Sequence, residues 1–139
     1  MPQGFSYVYN DYGKDPTRIT EFLMTDNEAG YAGEAVKIVS GRVTKAAPTD
    51  PIAGFLTSNV EAGTDKETEI ILAREGDWYE AAYSGTPAAG FVPGVAGVVL
   101  AADGLSINAA TVTGGAVSVL SINSNKGTAR VKVKNRQFS

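Results

Sequence analysis

A chain of 139 residues with 43% hydrophobic and 19% charged residues is the size of one domain with its own core, and its formal net charge of −3 is small. It contains no cysteine and no histidine, which excludes disulfides, thiolate or imidazole metal centres, Ser-His-Asp and Cys-His nucleophiles, and histidine acid–base chemistry. Any catalysis would have to run on carboxylates, lysine or tyrosine, so a non-enzymatic chain without a cofactor is the expectation.

Residues 1–18 open without the basic and apolar regions of a secretion signal. Phe5, Tyr7 and Tyr9 alternate along this stretch and Tyr12 follows, among Gly, Asn, Asp and Pro. In an extended segment the first three share a face. Few other apolar residues accompany them, so they either pack back onto the domain or form an arm laid on a neighbouring molecule. Tyrosine suits the second role, giving a large contact area at low entropic cost. Residues 18–25 predict a lead-in strand and 26–30 a turn. The chain thus divides into an arm with its lead-in strand, 1–33, and a β domain, 34–139.

From Glu34 the pattern is one of strands and turns. Residues 34–39 and 42–46 read as two strands joined at Ser40-Gly41. Pro48 and Pro51 bracket a loop, and 52–58 is a strand. Residues 67–74 and 78–83 predict a second hairpin around Glu75-Gly76-Asp77. The Gly/Pro-rich stretch 84–97 reads as a long loop. Residues 98–101 with 105–108, and 116–122 with 128–133, predict two more strand pairs. The longest apolar run, 94–102, is too short to span a membrane and holds two glycines. About nine short strands, with 16 glycines and 6 prolines, fit a mainly β fold, a small antiparallel barrel or sandwich.

The small net charge hides two opposite segments: residues 1–103 carry −8, and residues 104–139 carry +5 with no acid at all. Four of those bases, Arg130, Lys132, Lys134 and Arg136, alternate with Ala129, Val131, Val133 and Asn135. On a strand they form a basic row opposite an apolar one. Such a row is either a solvated face or a contact to an acidic partner. Nucleic acid is disfavoured as that partner by a pI near 4.9 and by the lack of aromatic residues near the row other than Phe138.

Other chemistry has thin support. Glu67 and Glu69 share a strand face and could hold Ca²⁺ or act on a glycoside, but they alternate with Thr68 and Ile70 as a wet face would. The turns at Asp26–Glu28 and Thr64–Lys66 lack the dense acidic spacing of a calcium loop, and no phosphate-cradling glycine motif occurs. Trp78 and Tyr79, with Tyr83, could make a sugar platform; a lone Trp in mid-strand more often belongs to the core.

The order of features from Ala32-Gly-Glu-Ala-Val-Lys-Ile-Val-Ser-Gly-Arg-Val-Thr-Lys-Ala46, through Thr49-Asp-Pro-Ile-Ala-Gly-Phe-Leu56 and Arg74-Glu-Gly-Asp-Trp78, to Ala101-Ala-Asp-Gly-Leu105, Ala116-Val-Ser-Val-Leu120 and Ala129-Arg-Val-Lys-Val133, resembles the head-decoration, or capsid cement, proteins of tailed bacteriophages. The resemblance covers roughly residues 32–134 and rests on turn-and-strand patterns. It implies a β-tulip or small barrel and a homotrimer on the outer capsid surface, clamping neighbouring major capsid subunits. The contact candidates are then Phe5, Tyr7, Tyr9 and Tyr12 of the arm and Arg130, Lys132, Lys134 and Arg136 of the basic row. The alternative from the residues alone is a β-sandwich module of a virion fibre or tail that binds carbohydrate or a receptor.

Overall fold

The computed structural model describes residues 4–138. Twelve strands run through them: β1 (Ser6–Asn10), β2 (Arg18–Ile19), β3 (Leu23–Met24), β4 (Ala35–Val39), β5 (Arg42–Lys45), β6 (Gly54–Leu56), β7 (Ile70–Leu72), β8 (Asp77–Ser84), β9 (Val99–Leu100), β10 (Ser106–Asn108), β11 (Val117–Asn123) and β12 (Thr128–Val133). The fold is mainly β. Among the described residues no helix is long and apolar enough to cross a membrane.

The strands form two sheets. Sheet I has the order β11-β12-β8-β10-β9 with β1 also paired to β8, and sheet II has the order β2-β7-β6-β4-β5-β3. Sheet I curls into a half-barrel. Its spine is β8, the longest strand: β12 runs along one edge, while β1 and β10 occupy the other in succession. Pairing is antiparallel except for β8–β10 and β3–β5, which are parallel.

Local chemistry explains the hairpins. The β4–β5 loop is two residues long, with Ser40 and Gly41 at φ of 51° and 78°. Positive φ at both central positions is what a type I′ turn requires, and its twist matches that of the flanking strands. β9–β10 and β11–β12 also pair as the sequence predicts. The expected hairpin of 67–74 with 78–83 does not form. β7 pairs with β6 and β2 in sheet II, whereas β8 lies in sheet I. The Glu75-Gly76 turn is therefore a crossover between sheets, held by Arg74 and Asp77 clasping each other across it.

Two cores result because sheet II buries both faces. Between the sheets, Phe55 stands in an aromatic stack, with Phe5 at 4.7 Å and Tyr79 at 4.5 Å between ring centroids; Ala35, Ile52, Leu100, Ile107, Val117, Val119 and Val131 fill the space around them. On the far face of sheet II, Met24, Val36, Val43, Leu56, Val60 and Ile70 pack together, flanked by Ile19, Phe22 and Ile38. β3 closes this second core. Leu23 bridges to Glu67, and Met24 N donates to Lys66 O at 2.8 Å, drawing the ends of sheet II toward each other.

The expected boundary after residue 33 does not mark a break. β1 is a strand of sheet I, and β2 and β3 are strands of sheet II. Phe5 N donates to Gly33 O at 2.8 Å, and a Cβ on Gly4 would lie 2.7 Å from Gly33 Cα, so the two backbones touch where only glycine fits. Residues 1–3 of the expected arm lie outside the described residues.

Candidate contact surface

The aromatic segment and the basic strand meet on the outer face of sheet I. β1 and β12 flank β8 on opposite edges, and their registers align side chains in rows across the sheet. One row brings Tyr9 beside Trp78, ring centroids 5.0 Å apart and edge to face, with Lys132 Nζ 5.3 Å over the Trp78 ring. Asp11 ties this row together: Trp78 Nε1 and Lys132 Nζ each donate to its carboxylate at 2.6 Å. These two donors, Lys132 foremost, hold the Asp11 carboxyl below the usual carboxylate range. The next row is Ser6, Glu80, Arg130 and Ser121.

The phase of β8 is set by its first residue. Asp77 is fully buried and points inward, so Tyr79 and Ala81 follow it into the core while Trp78 and Glu80 face out. The expectation that Trp78 belongs to the core is corrected by one position: the fully buried aromatic is Tyr79. Tyr79 is thereby removed from any sugar platform, and Tyr83 is half-buried against Phe91, centroids 5.0 Å apart.

The aromatic segment divides in the same way. A register shift between Tyr7 and Tyr9 puts Tyr7 opposite Tyr79 and Tyr9 opposite Trp78, so the three alternating aromatics do not share a face. Phe5 is buried, and Tyr7 packs edge-on to Tyr79 at 5.8 Å with its hydroxyl donating to Lys14 O at 2.9 Å. Burial pushes the Tyr7 and Tyr79 phenols up. Only Tyr9 and Tyr12, 48% and 77% exposed, remain available for contact.

The basic row is shorter than the alternation suggests. Arg130 and Lys134 are exposed and Lys132 half-buried, opposite buried Ala129, Val131 and Val133. Beyond Val133 the alternation breaks, because Lys134 N and Asn135 N both donate to Ala116 O. Arg136 leaves the row: it bridges to Ile52 of sheet II, and its guanidinium donates to Val133 O at 2.9 Å.

Beneath the outer face lies a buried polar network that no sequence motif announced. The Asp77 carboxylate accepts from Arg74 Nε and Nη2 at 2.9 Å each, from Asn10 Nδ2 at 2.8 Å and from the Tyr79 hydroxyl at 3.4 Å. Arg74 Nη1 also donates to Thr17 Oγ1 at 3.0 Å. The charge is fully partnered, as burial demands. Its one visible trace in the sequence is the i, i+3 spacing of Arg74 and Asp77 across a glycine turn.

A second buried carboxylate, Glu34, is placed differently. It accepts one long hydrogen bond, from Tyr31 N at 3.4 Å, and faces Lys45, Glu28 and Asp103. Burial pushes its carboxyl up to about 7. Of the acidic residues considered as metal or glycosidic groups, Asp26 and Asp65 pair with Arg42 at 3.5 and 2.7 Å, and Glu69 pairs with Arg18 at 3.2 Å. Among the described residues no group of three or more Asp or Glu side chains is placed to hold a metal ion. Comparison with protein-family models, with curated proteins and with solved structures returned no match.

Proposed function

We propose that this chain is a structural protein of a virion, a decoration or cement protein that binds the outer surface of a tailed-phage head. It acts by contact, without catalysis and without a cofactor. Its partners are the major capsid protein and further copies of itself in a trimer, and neither a membrane nor nucleic acid is a direct partner. The observation that carries the reading is the convergence of aromatic and basic side chains on the outer face of sheet I. Tyr9 and Trp78 offer large rigid surfaces, Arg130 and Lys134 offer charge, and Lys132 and Asp11 brace the aromatic row. Tyr, Trp and Arg are the residue types enriched where proteins bind one another.

A domain without disulfides gains stability from bound partners by mass action. An acidic body with a basic face also orients itself on a complementary lattice. A second reading, a carbohydrate- or receptor-binding module of a fibre or tail, draws on the outward position of Trp78. Against it, Lys132 and Tyr9 already occupy that ring.

The test is sedimentation of the purified protein with undecorated phage heads. Co-pelleting is expected, weakened when Arg130, Lys132 and Lys134 are changed together to Gln, and most sensitive to these changes at low salt. Failure to pellet with any cognate head overturns the reading. Binding to a glycan array with no affinity for heads establishes the second one.

A further inference from the structure

The row Ser6–Glu80–Arg130–Ser121 on the outer face of sheet I lies between two unequal neighbours. On one side stand Tyr9, Trp78 and Lys132; on the other are only Ala82, Thr128 and Asn123. The drop in side-chain height leaves two adjoining hollows that share Glu80, Lys126 and Thr128, one reaching Ser121 and Arg130 on the β11 side and the other Ser6 on the β1 side. Together they make a groove across β1, β8, β12 and β11. Four strands spaced about 4.8 Å apart span about 14 Å, the length of four or five extended residues.

The charges in this groove are uncommitted. Lys132, one row away, is bound to Asp11, whereas among the described residues the side chains of Glu80, Lys126 and Arg130 form no ion pair. Arg130 stands on the β11 side of the groove, while Lys126 and Glu80 border both its halves, so the excess of positive charge lies toward β11. Lys134, exposed just past the end of β12, adds to the positive field. No acidic residue occurs anywhere from 104 onward to cancel it.

We propose that this groove takes an extended acidic peptide segment of a partner protein, its carboxylates seated between Arg130 and Lys126. Ser121, Thr128 and Ser6 supply hydroxyls along the path of its backbone. Glu80 sets the register: a carboxylate shifted toward β1 meets like charge, so the acidic residue is confined to the β12–β11 end. The proposal rests on reading the outer face of sheet I as the contact surface and adds the chemistry of what it contacts.

The experiment is an NMR titration of the full-length isotope-labelled protein with a Gly-Glu-Thr-Glu-Gly peptide and, separately, with its lysine counterpart. Amide shifts are expected at Ser6, Glu80, Ser121 and Thr128, with the acidic peptide binding about ten-fold tighter than the basic one. Arg130→Glu and, independently, Lys126→Glu lose that binding. Glu80→Gln strengthens it about three-fold by removing the like charge. Equal binding of the two peptides, shifts confined to other faces, weaker binding by Glu80→Gln, or self-association of the protein through this face each overturns the proposal. Heads that still bind the protein while the peptide does not refute the groove and leave the capsid reading intact; the reverse result does the opposite.

Discussion

Asp77 and Glu34 are both shut away from water, at 0% and 2% exposure, yet their surroundings differ in kind. Asp77 sits where the chain crosses from sheet II to sheet I and is met by a bidentate arginine, an asparagine amide and a tyrosine hydroxyl. Glu34 sits beside Gly104 with one long hydrogen bond, and two of the three charged groups facing it are themselves acidic. A buried charge with enough donors fixes a crossover and the phase of the strand that follows. One without them is held in place mainly in its neutral form. The first region is a fastener built from a fully partnered charge; the second is conditional on pH.

Removing Asp77 tests the fastener and has the largest expected effect. Asp77→Ala leaves the Arg74 guanidinium without its carboxylate and costs about 4 kcal/mol in urea unfolding. A double change, Arg74→Met with Asp77→Leu, recovers part of that loss if the single-variant cost comes from the stranded charge. Recovery of nothing would mean that the network fixes the crossover geometry itself.

Glu34 gives the next largest effect, with the opposite pH sense from an ion-paired acid. Its folded-state value is raised from 4.5 to about 7, so the folded chain holds the proton more tightly than the unfolded one. Its stabilising contribution is full below about pH 4.5 and is lost as pH rises through about 7, a change of about 3 kcal/mol. Melting temperatures across pH 4 to 8.5 read this out, and Glu34→Gln flattens the profile. An unchanged slope in that variant assigns the pH dependence to other groups.

Asn10→Ala sharpens the comparison from the fastener side. It removes the donor to Asp77 and the acceptor of Tyr12 N at 2.8 Å, and costs about 2 kcal/mol. The smallest effect belongs to the outer face, where Lys132→Met breaks the solvent-screened ion pair with Asp11 and leaves the unfolding midpoint nearly unchanged. Trp78 fluorescence reports that change directly, because the lysine ammonium lies over its ring.

How legible these regions were in the sequence follows from how local their determinants are. The β4–β5 and β11–β12 pairs are written in alternating side chains and short turns, so periodicity finds them. The β7–β8 segment carries the same signals around Glu75-Gly76-Asp77, and they mislead, because a turn between strands of one sheet and a crossover between two sheets look alike locally. What distinguishes them is the partner set of Asp77, drawn partly from Asn10, 67 residues away. The same distant contact fixes which of Trp78 and Tyr79 is buried. The outer face of sheet I is half legible: Tyr9, Arg130 and Lys132 stand out by residue type and spacing. Phe5 and Tyr7 could not be separated from them without knowing the register shift in β1, and Glu80, Asp11 and Trp78 joined the surface only through pairing.

The shared edge of β8 also orders the assembly of the chain in time. Its strand partners come from both ends of the sequence, β1 near the start and β12 near the finish. The β4–β5 and β11–β12 hairpins can form in microseconds from their own turns. The spine must wait until its distant partners have diffused into place, which puts the molecule among slow-folding, high-contact-order proteins. During synthesis Phe5 and Tyr7 leave the ribosome long before Phe55 and Tyr79 exist to cover them, and for that interval the first strand is an exposed, adhesive segment that a chaperone or a neighbouring chain can meet first.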